Sequence, residues 1–225
     1  MTASVLSRRL LAEGIGTALL LATVVGSGIM AERLAGGNTA IALLANTVAT
    51  GAALFGLILM FAPVSGAHFN PVVTLTAVMD RALTPAHGIA FVLVQTVAAL
   101  AGVALAHLMF DFPALFSASS TARTGGGQWL SEGVATFGLV LVIRLVGPRG
   151  LPVTAAAIAC WIVAAYWFTA STSFANPAVT LARAASDTFA GIRPADVPGF
   201  VLAQFAGALT ARVAAHVVAP PSVRG

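Results

Sequence analysis

Two copies of one short pattern carry most of the polar chemistry in this 225-residue chain: Asn70-Pro71-Val72-Val73-Thr74-Leu75 and Asn176-Pro177-Ala178-Val179-Thr180-Leu181, five identities in six at a spacing of 106. Pro suits the first position of a helix, where its missing N–H would have no partner, and Asn is among the best caps just before it. Each pair therefore predicts a helix start. The apolar stretches that follow, 70–79 and 176–185, are about ten residues long, too short to cross a hydrocarbon core of roughly 30 Å. They read as half-helices. Inside a bilayer, a loop leading into a half-helix is tolerated only where it lines protein or a watery cavity, so a pore is its natural host. The loops concerned are Ser65-Gly66-Ala67-His68-Phe69 and Ser171-Thr172-Ser173-Phe174-Ala175. If extended, they aim a ladder of carbonyls, from Gly66, Ala67, His68, Phe174 and Ala175, at a path where hydroxyls could donate to them. Two half-helices meeting N-end to N-end would also place about +0.5 elementary charge each at the midplane, repelling cations and orienting a dipolar solute.

The elements that position these residues follow from composition. The chain is 59% hydrophobic and 8% charged, where a soluble domain carries about 25% charged residues. So few charges cannot cover a 22.6 kDa globule. The bilayer is the implied solvent. At roughly 20 residues per helical span, the chain accommodates about six spans and no soluble domain. Apolar runs place them near 10–30, 39–62, 86–110, 129–146, 151–170 and 194–218. The basic residues are all Arg and, apart from the Arg8-Arg9 pair, stand singly near the ends of these runs, unlike the clustered cations of a nucleic-acid binder. Arg8 and Arg9 precede a first run longer than a signal-peptide core, which reads as a retained span. Cys160, the only cysteine, lies within an apolar run and reads as a small buried hydrophobe.

The halves repeat. Phe91-Val92-Leu93-Val94-Gln95 matches Phe200-Val201-Leu202-Ala203-Gln204 at an offset of 109, which also relates His107 to His216, and the sequence around Glu13 matches that around Glu132 at 119. The unit is three spans plus one half-helix, over approximately 8–112 and 127–219 of a single membrane domain. An odd number of spans forces the second copy to insert upside down, giving an inverted repeat with the half-helices entering from opposite sides. With both termini cytoplasmic, seven arginines (8, 9, 81, 144, 149, 212, 224) fall inside and four (33, 123, 183, 193) outside, which favours that orientation in the inner membrane.

SGAHFNPVVTL and SFANPAVTLAR resemble the two signature loops of the aquaporin and glycerol-facilitator family, and the likeness covers nearly the whole chain. It implies an all-α fold of six transmembrane helices and two re-entrant half-helices, assembled as homotetramers with one pore per subunit. It also implies that Glu13 and Glu132 accept hydrogen bonds from the re-entrant loops, a supporting role that fits carboxylates without a titratable neighbour at helical spacing. The family's constriction transfers by counting to Thr50, Ala164, Ser173 and Val179. Most relatives carry Arg where this chain has Val179. That departure, with small Thr50 and Ala164, implies a wider and less positive constriction, and Val72, in place of the usual Ala, would trim the midplane. Arg183, seven residues after Asn176, is expected past the half-helix and outside the constriction. Whether Arg123 folds into the outer mouth is left open by spacing.

The expected function is a passive channel for small uncharged solutes: glycerol-like polyols, arsenite and methylated arsenicals or other metalloid hydroxides, and water. The Val-for-Arg pattern resembles that of bacterial aquaporins associated with arsenic resistance. The alternatives are a water-selective aquaporin and a secondary transporter, the latter built from similar inverted repeats but needing paired intramembrane charges for ion coupling. No nucleophile–base pair, metal cluster or phosphate loop suggests an enzyme, a cofactor or a bound metal. Gln95 and Gln204 read as interhelical hydrogen-bonders, His68 as a loop buttress, His107 and His216 as packing near span ends, and Gly14, Gly16, Gly102 and Gly207 as close helix contacts.

Overall fold

In lipid a backbone polar group has only its own helix to bond with, and the long apolar runs all become helices in the computed structural model, which describes residues 3–219. In chain order these are α1 (Ala3–Leu34), α2 (Thr39–Ser65), the short α3 (Pro71–Met79), α4 (Pro85–Met109), α5 (Gly126–Val146), α6 (Leu151–Phe168), the short α7 (Pro177–Arg183) and α8 (Val197–Val218). Six of them are long and apolar enough to cross a membrane, and α3 and α7 are the half-helices. The first span is longer than its apolar run, because Ala3 to Arg9 continue the helix beyond it. Arg224 lies outside the described residues.

Local chemistry sets the starts. Asn38 caps α2 by accepting from the Ala40 and Ile41 amides at 3.1 and 3.2 Å, and Thr84 caps α4 through the His87 amide at 3.3 Å. Asn70 and Asn176 cap α3 and α7 with Pro at the first helical position.

The two halves pack alike: α1 lies against α2 and α4, α5 against α6 and α8, and α2 crosses to α6 between the halves. Glycines permit the closest approaches. A Cβ on Gly102 would stand 2.3 Å from the Ala18 carbonyl oxygen, and one on Gly207 would stand 2.2 Å from that of Gly133. Gly16 leaves room for the Phe69 ring, which a Cβ would meet at 2.0 Å. α1 starts and α8 finishes at one end of the bundle, from which α3 enters; α7 enters from the opposite, distal end.

Two expectations change here. Cys160 is exposed on α6, because its apolar run is a span with an outer face and not a core strand of packing. The repeat-related histidines also differ. His107 is buried, its ring nitrogens within 2.8 Å of the Leu115 carbonyl and the Ser186 hydroxyl, and it stacks on Phe112 at 4.8 Å. His216 is exposed near the end of α8. His107 thus ties α4 to the distal loops.

Candidate functional site

The two Asn-Pro loops face one another where α3 and α7 begin. Asn70 accepts from the Val72 amide at 3.0 Å, capping its own helix, and its Nδ2 donates to the Ala175 carbonyl at 2.8 Å. Asn176 accepts from the Ala178 and Val179 amides at 3.0 and 3.3 Å, and its Nδ2 donates to the Phe69 carbonyl at 2.7 Å. Each asparagine therefore caps one half-helix and anchors the loop of the other. A short side chain with acceptor and donor on one planar group does both at once.

Behind each loop stands a buried carboxylate. Glu13 accepts from the Ser65 hydroxyl at 2.6 Å, the His68 and Phe69 amides at 2.9 and 2.7 Å, and Gln95 Nε2 at 2.9 Å. Glu132 repeats the arrangement with Ser171 at 2.6 Å, the Phe174 and Ala175 amides at 2.8 and 2.9 Å, and Gln204 Nε2 at 2.6 Å. Charge-assisted bonds of this kind contribute about 1.5–3 kcal/mol each. They offset backbone strain, because Ala67, Phe69, Thr172, Ser173 and Ala175 all adopt positive φ between 49° and 60°, a region that non-glycine residues occupy at a cost of about 1–3 kcal/mol. The loops are accordingly not simply extended. Gln95 and Gln204 continue the network to the Thr74 and Thr180 hydroxyls at 3.0 and 2.8 Å, and His68 Nδ1 lies 3.1 Å from Thr74.

A cavity of about 360 Å³ runs between the halves, past both asparagines. Its wall is largely apolar, from Leu20, Val24, Leu54, Ile58, Val73, Leu139 and Ile162. The predicted loop residues Gly66, Ala67, His68, Ser173, Phe174 and Ala175 line it, as do Asn70, Asn176, Thr50 and Val179. Pro71, Val72, Pro177 and Ala178 do not. Val72 is fully buried against Val140, Ala208 and Ala211, so it trims no lumen; the next residue on α3, Val73, faces the cavity instead.

Ala164 also departs from expectation. It is exposed on the outside of α6, and the cavity wall takes Ile162 and Tyr166 from that helix. The Tyr166 hydroxyl stands 3.4 Å from that of Thr50 across the distal part of the cavity. A position counted from a distant motif can be wrong by one helical face, and a two-residue error turns a helix by about 200°. The cavity wall thereby carries a phenol where a small alanine was expected.

Arginines furnish the other surprise. Arg183 is the last residue of α7, but its side chain lines the cavity, donates through Nε to the Ala190 carbonyl and lies over the Phe174 ring, 3.4 Å from the centroid. Arg123 folds onto the same ring at 5.1 Å and donates to the Gly191 and Ser171 carbonyls at 2.8 and 3.3 Å. At the other mouth Arg9 makes the related bond to the Ser65 carbonyl at 3.1 Å. Asp80, at the end of α3 and in the cavity lining, pairs with Arg144 and, at 3.0 Å, with Arg212. Partial burial alone would raise the Asp80 carboxyl, but the two guanidiniums outweigh it and hold it below the ordinary carboxylate range.

The family model described as Major intrinsic protein matches residues 1–150. The chain belongs to the major intrinsic protein family. It is 55% identical over 210 residues to Aquaglyceroporin AqpS of Rhizobium meliloti, covering 92% of this chain and 88% of that protein. It is 33% identical over 151 residues to a probable aquaporin of Oryza sativa subsp. japonica, covering 64% of this chain and 55% of that one. Among solved structures it is similar to the aquaglyceroporin from Plasmodium falciparum, with a TM-score of 0.68 at 19% identity over 96% of this chain and 98% of that one. That likeness carries the fold. Membership makes the chain a multi-pass membrane channel and not an enzyme.

Proposed function

We propose that the chain is a passive channel for small uncharged solutes, conducting glycerol-like polyols, arsenite and methylated arsenicals or other metalloid hydroxides, and water. The observation that carries this reading is the pair of asparagines that brace each other's loops inside one continuous, mostly apolar cavity. A solute that sheds water there needs a few replacement hydrogen bonds along an apolar wall, which suits polyhydroxy molecules and excludes ions that lose more on desolvation. The carbonyls of Gly66, Ala67, His68, Phe174 and Ala175 accept from the passing hydroxyls, and Asn70 and Asn176 hold the midplane. Thr50, Ser173 and Val179, with Tyr166 in the place first assigned to Ala164, form the distal constriction. The 55% identity to a protein named as an aquaglyceroporin supports the solute class. The channel domain comprises the whole chain, works as a homotetramer in the inner membrane, and keeps both termini in the cytoplasm.

A water-selective pore is the second reading. It is favoured by the Tyr166–Thr50 approach at 3.4 Å, which narrows the constriction relative to one lined by alanine. Stopped-flow light scattering on proteoliposomes separates the two. Sucrose shock reads water efflux, and glycerol and arsenite gradients read solute influx in the same vesicles, for the wild type and Val179→Arg. Fast glycerol and arsenite influx that Val179→Arg suppresses while sparing water supports the solute channel. Fast water efflux with solute influx at the level of protein-free vesicles overturns it.

A further inference from the structure

The proposed constriction has valine where a charge could stand, yet an arginine follows four residues later on the same half-helix. Val179 and Arg183 are four residues apart on α7 and so share one face, and both line the cavity. Arg183 is 2% exposed. Its Nε is committed to the Ala190 carbonyl, whereas its two terminal nitrogens donate to no acceptor, and no carboxylate pairs with it, among the described residues. A guanidinium stays charged throughout the working range of pH, and burying it with open donors is costly unless the cavity's contents satisfy them. The Ser173 hydroxyl in the same wall also lacks a hydrogen-bond partner among the described residues. Arg123, by contrast, spends its donors on Gly191, Ser171, Thr172 and Phe189, which makes it a brace for the distal loops.

We propose that Arg183 is the charge-selecting residue of this channel. Its terminal N–H groups donate to the oxygen of a neutral solute as that solute sheds water, with the Ser173 hydroxyl as a second partner, and its charge repels cations. Val179 keeps its own part of the wall apolar, so the charge is held over Phe174 by a longer stem and does not stand at position 179. The inference rests on the channel reading above.

Urea and guanidinium are planar, of nearly equal size and differ by one charge, so their ratio of permeabilities in proteoliposomes isolates charge selection from pore width. The wild type is expected to pass urea and exclude guanidinium. Arg183→Gln should raise guanidinium relative to urea by roughly 10- to 100-fold, the effect of one charge at several ångströms in a partly screened cavity. Adding Val179→Arg to that variant should restore exclusion, a rescue that no role in holding the Ala190 loop would produce. A ratio unchanged in Arg183→Gln, with urea flux intact, overturns the proposal. If Arg183→Gln does not insert, Arg183→Lys decides: guanidinium exclusion kept at normal urea flux supports charge selection, and exclusion lost at normal urea flux overturns it. Glycerol influx through the wild type tests the channel reading separately; if neither glycerol nor urea passes, that reading fails, and guanidinium leak in Arg183→Gln against the wild type still tests Arg183.

Discussion

Replacing Glu132 by Gln exchanges a carboxylate that accepts four hydrogen bonds for an amide with one acceptor oxygen and one donor nitrogen. If the oxygen stays with Ser171 and the Phe174 amide, the new NH₂ faces two donors, the Ala175 amide and Gln204 Nε2, now at 2.9 and 2.6 Å from the carboxylate. Gln204 can turn its amide, because its Oε1 has no hydrogen-bond partner among the described residues. Turning relieves one clash but gives up its 2.8 Å bond to the Thr180 hydroxyl. The Ala175 N–H has no such escape. A buried donor left without a partner costs about 1–3 kcal/mol, so one orphan plus the forfeited Gln204–Thr180 bond amounts to about 2–4 kcal/mol. At about 2–4 °C per kcal/mol for a chain of this size, the Tm in detergent should fall by roughly 4–16 °C. Thermal unfolding followed by size-exclusion fluorescence reads this directly. Glu13→Gln, with the same four-bond arrangement and an equally unpartnered Gln95 Oε1, should show a loss of similar size. A Tm within about 2 °C of the wild type for both variants would refute the claim that these carboxylates fasten the re-entrant loops.

Asn176→Ala removes a helix cap and the bond to Phe69, and should lower stability by about 2–3 kcal/mol, read as a lower Tm with loss of solute flux. Tyr166→Ala takes a buried ring from the cavity wall; it should cost about 3 kcal/mol and raise the glycerol-to-water permeability ratio, and an unchanged ratio would remove Tyr166 from the constriction. Gly207→Ala drives a methyl into the Gly133 carbonyl and should cost about 1–3 kcal/mol, visible as a lower Tm at unchanged selectivity. Because the folded Asp80 carboxyl titrates below its unfolded value, its contribution is complete above the unfolded pKa and disappears as pH falls through the folded one. The Tm difference between wild type and Asp80→Asn should therefore be flat at neutral pH, begin to shrink only near about pH 4, and vanish below the folded value.

Much of this molecule was determined by sequence alone, through physics that acts within one turn or one span. Run lengths set six spans, Asn-Pro set two helix starts, and the matched placement of Glu13 with Glu132 and Gln95 with Gln204 announced a repeat. Orientation about a helix axis was decided by tertiary structure, because in a span apolar on every side no periodic pattern marks the face that turns inward. Packing of α6 against α2 and α5 is what brings Tyr166, and not Ala164, to the cavity. Likewise the α3 register buries Val72 and presents Val73. Reach was decided there too. A guanidinium on a long stem can fold back past its own helix end, so Arg183 left the loop its position suggested and came to lie over Phe174. The bonds from Asn70 to Ala175 and from Asn176 to Phe69 join residues more than a hundred positions apart, and only closure of the two halves on one another brings donor and acceptor within reach.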